Sequence, residues 1–141
     1  AKPQSYMFGQ SSAASINDRY GVFVTGASFL GYAEAALNLP DGAKVTEMKA
    51  WVYDNENETY AIARVQLIAI QLGTDDATQQ GSTLESDGPA AIGSVQELTA
   101  SMNVTIDNST KAYHIRFTGK QGSDDVRLYG VRLTYTVDQA D

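Results

Sequence analysis

At 141 residues, 43% of them hydrophobic, the chain matches one ordinary domain with enough apolar mass for a real core. A net charge of −7, with no run of lysine and arginine to offset it locally, repels phosphate backbones and anionic lipid surfaces, so nucleic acid is not an expected partner. Zero cysteines exclude disulfides, thiolate nucleophiles and thiolate metal sites, and the single histidine, His114, leaves little scope for proton-relay catalysis.

The first 18 residues read as an arm, polar and Gly/Ser-bearing, around a small apolar cluster, Tyr6-Met7-Phe8, that needs a surface to pack on. Residues 19–141 read as one domain. Tyr20, Val22 and Val24 alternate as a half-buried strand does, and Ala33 to Leu37 suggests half a turn of helix. Pro40-Asp41-Gly42 supplies a fixed φ, an Asx-type hydrogen bond and a residue free to take positive φ, so Leu37 to Val45 reads as strand, tight turn, strand. Next, Met48, Ala50 and Val52 fall on one face and Lys49, Trp51 and Tyr53 on the other, which places apolar mass on both.

Asp54-Asn55-Glu56-Asn57-Glu58 then turns the chain. The strongest apolar run, Ala61 to Leu72, is broken by Arg64, Gln66 and Gln71 and falls short of the ~18 residues a membrane helix needs, so no membrane span is expected. Within it Ile62, Ile68 and Ile70 share a face with Arg64 and Gln66, opposite Val65 and Leu67, so a monomer would leave apolar area in water. Gly73 to Pro89 is polar and reads as a long loop. Met102, Val104 and Ile106, then Tyr113, Ile115 and Phe117, mark two more strands, punctuated by Asp107-Asn108-Ser109 and by Gln121-Gly122-Ser123-Asp124. In the last strand Val126 and Leu128 are out of phase with Val131, Leu133, Tyr135 and Val137, and the switch at Gly130 predicts a β-bulge. Short strands at this regular spacing predict an all-β fold, an antiparallel β-sandwich built as a jelly roll of about eight strands.

Few residue sets carry chemistry. His114 lies on the wet phase of its strand beside Arg116, and no nucleophile elbow accompanies it, so no catalytic residue is assigned. Acid pairs drawn from Asp54, Glu56, Glu58, Asp75, Asp76, Glu85, Asp87, Asp124, Asp125, or the strand residues Glu34 and Glu47, would suit a glycoside hydrolase, but acids in turns are commonly just solvated. No cofactor is required; calcium is the ion those turns would take, through Asp54, Asn55 and Glu56, with Asp124 and Asp125 next. Trp51 and Tyr53, two apart on one strand face and joined by Tyr60, Tyr129 or Tyr135, form either a sugar platform, an interface or, for the single Trp, a core residue, and the core reading weighs most. Sequons at Asn57, Asn103 and Asn108 hint at an extracellular or cell-surface setting.

The segments Leu39-Pro40-Asp41-Gly42-Ala43, Trp51-Val52-Tyr53-Asp54-Asn55 and Arg127 to Tyr135 together resemble a loose group of uncharacterised microbial extracellular β-sandwich domains, across roughly Leu37 to Val137. The jelly-roll layout is also similar to tumour-necrosis-factor-like trimer domains, without a residue-by-residue match. These resemblances imply a fold and no catalytic residue. The expectation is a non-catalytic, self-associating extracellular structural protein, a homo-oligomer or self-assembling polymer such as a trimer, coat or fibre, with contacts at Tyr6, Met7, Phe8, Trp51, Ile68 and Ile70. The alternatives are a carbohydrate-binding module and, behind it, an acid/base glycoside hydrolase.

Overall fold

The computed structural model describes residues 14–17, 21–24, 30–55, 63–86, 94–120 and 126–138. Among them are nine strands and no helix: β1 (Ala14–Asn17), β2 (Gly21–Val24), β3 (Leu30–Leu37), β4 (Lys44–Asp54), β5 (Arg64–Gln71), β6 (Ala77–Glu85), β7 (Ser94–Thr105), β8 (Lys111–Lys120) and β9 (Val126–Thr136). They form a five-stranded sheet, β1-β2-β9-β4-β7, and a four-stranded sheet, β3-β8-β5-β6.

All pairings are antiparallel, and four of them, β2 with β9, β3 with β8, β4 with β7 and β5 with β6, describe one long ribbon of strand pairs. Successive pairs fall in alternate sheets. That winding is a jelly roll of eight strands, as the alternating sequence predicts, with β1 added at the edge beside β2. The expected arm therefore ends before Asp18, since Ala14–Asn17 is already part of a sheet. Tyr6, Met7 and Phe8 lie outside the described residues.

The core is the space between the sheets, filled by the inward phase of each strand: Met48, Ala50 and Val52, Val65 and Leu67, Met102 and Val104, Tyr113, Ile115 and Phe117, and Val126, Leu128, Leu133 and Tyr135. Among the described residues no helix is long and apolar enough to cross a membrane.

Two local expectations are corrected. Ala33 to Leu37 is strand, because Ala33 and Ala35 point into the core while the chain pairs residue for residue with β8. Gly73 to Pro89 is not one loop: after a short turn it contains β6, whose Gln, Ser and Thr residues carry no apolar alternation because only Leu84 along it is buried. Pairing with β5 overrides poor strand propensity there. The turn at Pro40 to Ala43, closed by Ala43 N–H donating to Pro40 C=O at 3.1 Å with Gly42 at φ 74°, joins β3 to β4 as the strand, tight turn, strand reading expects, with the two strands in opposite sheets.

The connections β3–β4, β5–β6 and β7–β8 gather at one end. Gly42 N–H donates to Ile106 C=O, Leu72 N–H to Thr110 C=O, and Asn108 N–H to Asp41 Oδ1, all within 2.9 Å. This end displays Asp41, Asp75, Asp76 and Asp107, with Asp138 just beyond β9, against Lys44 and Lys111.

Candidate functional site

The site that the fold assembles lies on the outer face of the five-stranded sheet. Alternation along β4 sends Val52 and Ala50 inward and Lys49, Trp51 and Tyr53 outward, where the flanking strands bring further residues beside them. On one side Trp51 pairs with Glu97 and Tyr53 with Val95 of β7; on the other, Lys49 pairs with Arg132 and Tyr53 with Arg127 of β9.

The predicted bulge shapes this surface. Register slips so that Gly130 opposes Trp51 while Leu128 opposes Val52, leaving Tyr129 as the extra residue. The inserted residue lets Val126 and Leu128 share the core face with Leu133 and Tyr135, and it pushes Tyr129 outward, 44% exposed. Gly130 opposes Trp51, and a Cβ there would lie at an ordinary contact distance of 3.9 Å from Trp51 Cε3. Bulges commonly re-aim side chains in this way at binding sites.

The side chains interlock. The Arg132 guanidinium lies over the Trp51 ring at 5.2 Å from its centroid, and that of Arg127 over the Tyr53 ring at 4.7 Å. Trp51 Nε1–H donates to Glu97 Oε2 at 3.2 Å, Lys49 Nζ sits 2.9 Å from Glu97 Oε1, and Arg127 Nη1–H donates to Tyr129 Oη at 3.4 Å. The hydrogen bond from Lys49 and its charge, aided by the Trp51 N–H and the charge of Arg132, hold the Glu97 carboxyl below its usual value against a small opposing effect of desolvation. Val95, 58% exposed, extends the surface over β7. Trp51 is thus half-buried on an outer face and not a core residue. A chain without a basic run nonetheless acquires a local basic patch, because Lys49, Arg127 and Arg132 meet only across strands.

The other expected residues scatter. Tyr135 turns into the core, away from Trp51, and Tyr60 is outside the described residues. Asp54 lies at the inward end of β4, fully buried, accepting a 2.6 Å hydrogen bond from Ser86 Oγ, which in turn accepts one from Ala63 N–H at 2.9 Å. A carboxylate so placed serves the sandwich interior and not an open turn. Asn55 is exposed, and Glu56, Asp124 and Asp125 lie outside the described residues, within which no three His, Cys, Asp or Glu side chains gather to hold a metal. On the outer face of the four-stranded sheet, Glu34 accepts from Arg116 at 2.7 Å and faces His114 Nδ1 at 3.5 Å, while Arg64 pairs with Glu85 at 2.8 Å. Ile68, on that same face, is 3% exposed, because its cross-strand neighbours His114 and Gln79 flank it; Ile70 is half-buried and Leu72 is open. The apolar mass expected there for assembly is therefore mostly covered within the monomer.

Arg127, Arg132, Lys49 and Glu97 are the members of the site that sequence reasoning misses. Alternation places Lys49 with Trp51 and Tyr53 and puts Arg127 in phase with Tyr129, whereas Arg132, beyond the bulge, and Glu97, on β7, carry no such signal. In comparisons by family model, by sequence against curated proteins and by structure against solved folds, no match is found.

Proposed function

We propose that the protein is a non-catalytic, self-associating structural protein that works outside the cell as a subunit of a larger assembly. One observation carries the reading: a sandwich with a well-filled interior still displays Trp51, Tyr53, Tyr129, Arg127 and Arg132 together on one sheet face. Trp, Tyr and Arg are the residues that dominate protein–protein hot spots, since each combines large contact area with a polar handle. A neutral sugar would need an open ring face, and guanidinium groups already lie over the Trp51 and Tyr53 rings, so an interface suits this patch better than a carbohydrate platform. The extracellular setting is supported by the sequons, of which Asn103 is exposed on β7, whereas the Asn108 amide is engaged, donating to Leu39 C=O at 2.7 Å.

The test is solution mass by light scattering over a wide concentration range. Mass is expected to rise with concentration toward discrete oligomers or polymers. A protein that remains monomeric at the highest concentrations overturns the proposal.

A further inference from the structure

We propose that the hollow where β5, β6 and β8 meet at the turn end binds a small zwitterion, a free α-amino acid, with Lys111 holding its carboxylate and Asp76 its ammonium. The site is separate from the Trp51 face and does not depend on self-association. The hollow has a volume of about 400 Å³ and is lined by Ala69, Gln71, Asp76, Ala77, Thr78 and Lys111. That volume falls within the range usual for small-molecule sites.

Its walls depart from the pattern that fills the rest of the sandwich. Along β5 the inward phase runs Val65, Leu67, Ala69 and then Gln71; along β8 it runs Phe117, Ile115, Tyr113 and then Lys111. The register puts these ends on one face, since Gln71 opposes Lys111 and Thr78 opposes Ala69, which is buried. The core rows therefore finish on an amide, an ammonium and a hydroxyl beside a buried alanine. Half-buried polar groups on an inward phase call for a polar partner.

The chain does not supply one. Asp76 N–H donates to Thr74 Oγ1 at 3.1 Å, its C=O accepts from Gln71 N–H at 3.0 Å, and Lys111 N–H donates to Asp107 C=O at 3.1 Å, so these residues are engaged through their backbones. Among the described residues, the Lys111 ammonium, the Asp76 carboxylate and the Gln71 amide have no partner, and the two charges do not pair across the hollow they share. The backbone explains the gap. Gln71 stands between them, bonded to Asp76 on one side and opposite Lys111 on the other, and two lateral steps of about 4.8 Å set their chains roughly 10 Å apart.

Charge selects the ligand. A simple anion would satisfy Lys111 but meet Asp76, with Asp41, Asp75 and Asp107 at the same end; a simple cation would leave Lys111 unanswered. An α-amino acid carries both charges on one carbon and gives each wall a charge-assisted hydrogen bond. No aromatic residue lines the hollow to stack a sugar or a ring.

The test is a titration of the isotope-labelled full chain with glycine and with L-alanine, followed through its amide NMR signals, with acetate and methylammonium as singly charged controls. Both amino acids are expected to shift the amides of Gln71, Asp76, Thr78 and Lys111 saturably. Each control should bind at least about tenfold more weakly, because it lacks one of the two charged contacts. Lys111→Gln and Asp76→Asn should each weaken glycine binding by at least about tenfold and keep the melting transition, since neither side chain has a partner within the chain to lose. Should a variant unfold, the comparison of glycine with the two controls on the wild type decides alone. Absence of saturable shifts at these amides, a control that binds as tightly as glycine, or folded variants that bind like the wild type would overturn the assignment and leave self-association standing.

Discussion

Glu97 is the hinge of the patch at the scale of single residues, for it takes the Lys49 charge, accepts from the Trp51 indole N–H and feels the charge of Arg132. Its folded-state carboxyl titrates below the usual 4.5, first through the hydrogen bond from Lys49 and then through that side chain's charge. The sign follows: a lowered folded value means that the stabilisation is fully present above the unfolded value and is lost as pH falls through the folded one. NMR titration of the Glu97 carboxyl carbon is expected to give a midpoint below 4.5, and Lys49→Gln should move it back toward 4.5. A midpoint unchanged by that substitution would separate Lys49 from the effect. Elsewhere, Gly81 is required by its backbone: its φ is +69°, a conformation that residues with a side chain rarely adopt, whereas the Met102 Cε that a Cβ would meet at 2.6 Å is the end of a flexible side chain where β6 crosses close to β7.

At the scale of the strand, the β9 bulge links folding to the surface. The phase break at Gly130 was legible because Val126 and Leu128 cannot share a face with Leu133 and Tyr135 unless one residue is inserted. Removing Tyr129 would give unbroken alternation, Val126, Leu128, Val131, Leu133 and Tyr135 all falling on the core phase. That deletion is therefore expected to keep a cooperative melt and the same core while removing only Tyr129 from the patch, since Arg127 still opposes Tyr53 and Arg132 still opposes Lys49, read as a shift in Trp51 fluorescence. A deletion that unfolds the protein would show that the bulge is structural only. By contrast β6 left no mark in the sequence. Its Gln, Ser and Thr residues face water on both sides, and what makes it a strand is hydrogen bonding to β5, with Gln66 Nε2–H reaching Gln79 at 3.3 Å and Thr83 at 3.4 Å.

At the scale of the whole molecule, alternation says which residues face inward but not which strands are neighbours. The sandwich was therefore readable from period-two runs, whereas the patch was not, because Trp51, Glu97 and Arg132 are joined only by the register of β4 against β7 and β9. The same long-range pairing makes the chain's last strand indispensable. β9 lies between β2 and β4, and it delivers Val126, Leu128, Leu133 and Tyr135 to the core. At ~1.5 to 3 kcal/mol each, these four represent about 6 to 12 kcal/mol of burial, comparable with the roughly 5 to 15 kcal/mol that holds a typical domain folded. Without β9, moreover, β2 and β4 would face each other across an empty lane and β4 would lose one row of its ladder hydrogen bonds. A chain ended after residue 125 is thus expected to show no cooperative melt by circular dichroism. A peptide spanning residues 126–138, added in trans, should restore one, because the lane it fills is defined on both sides by strands already in the truncated chain. If the truncated chain melts cooperatively on its own, β9 does not occupy the centre of the five-stranded sheet, and the surface that depends on its register goes with it.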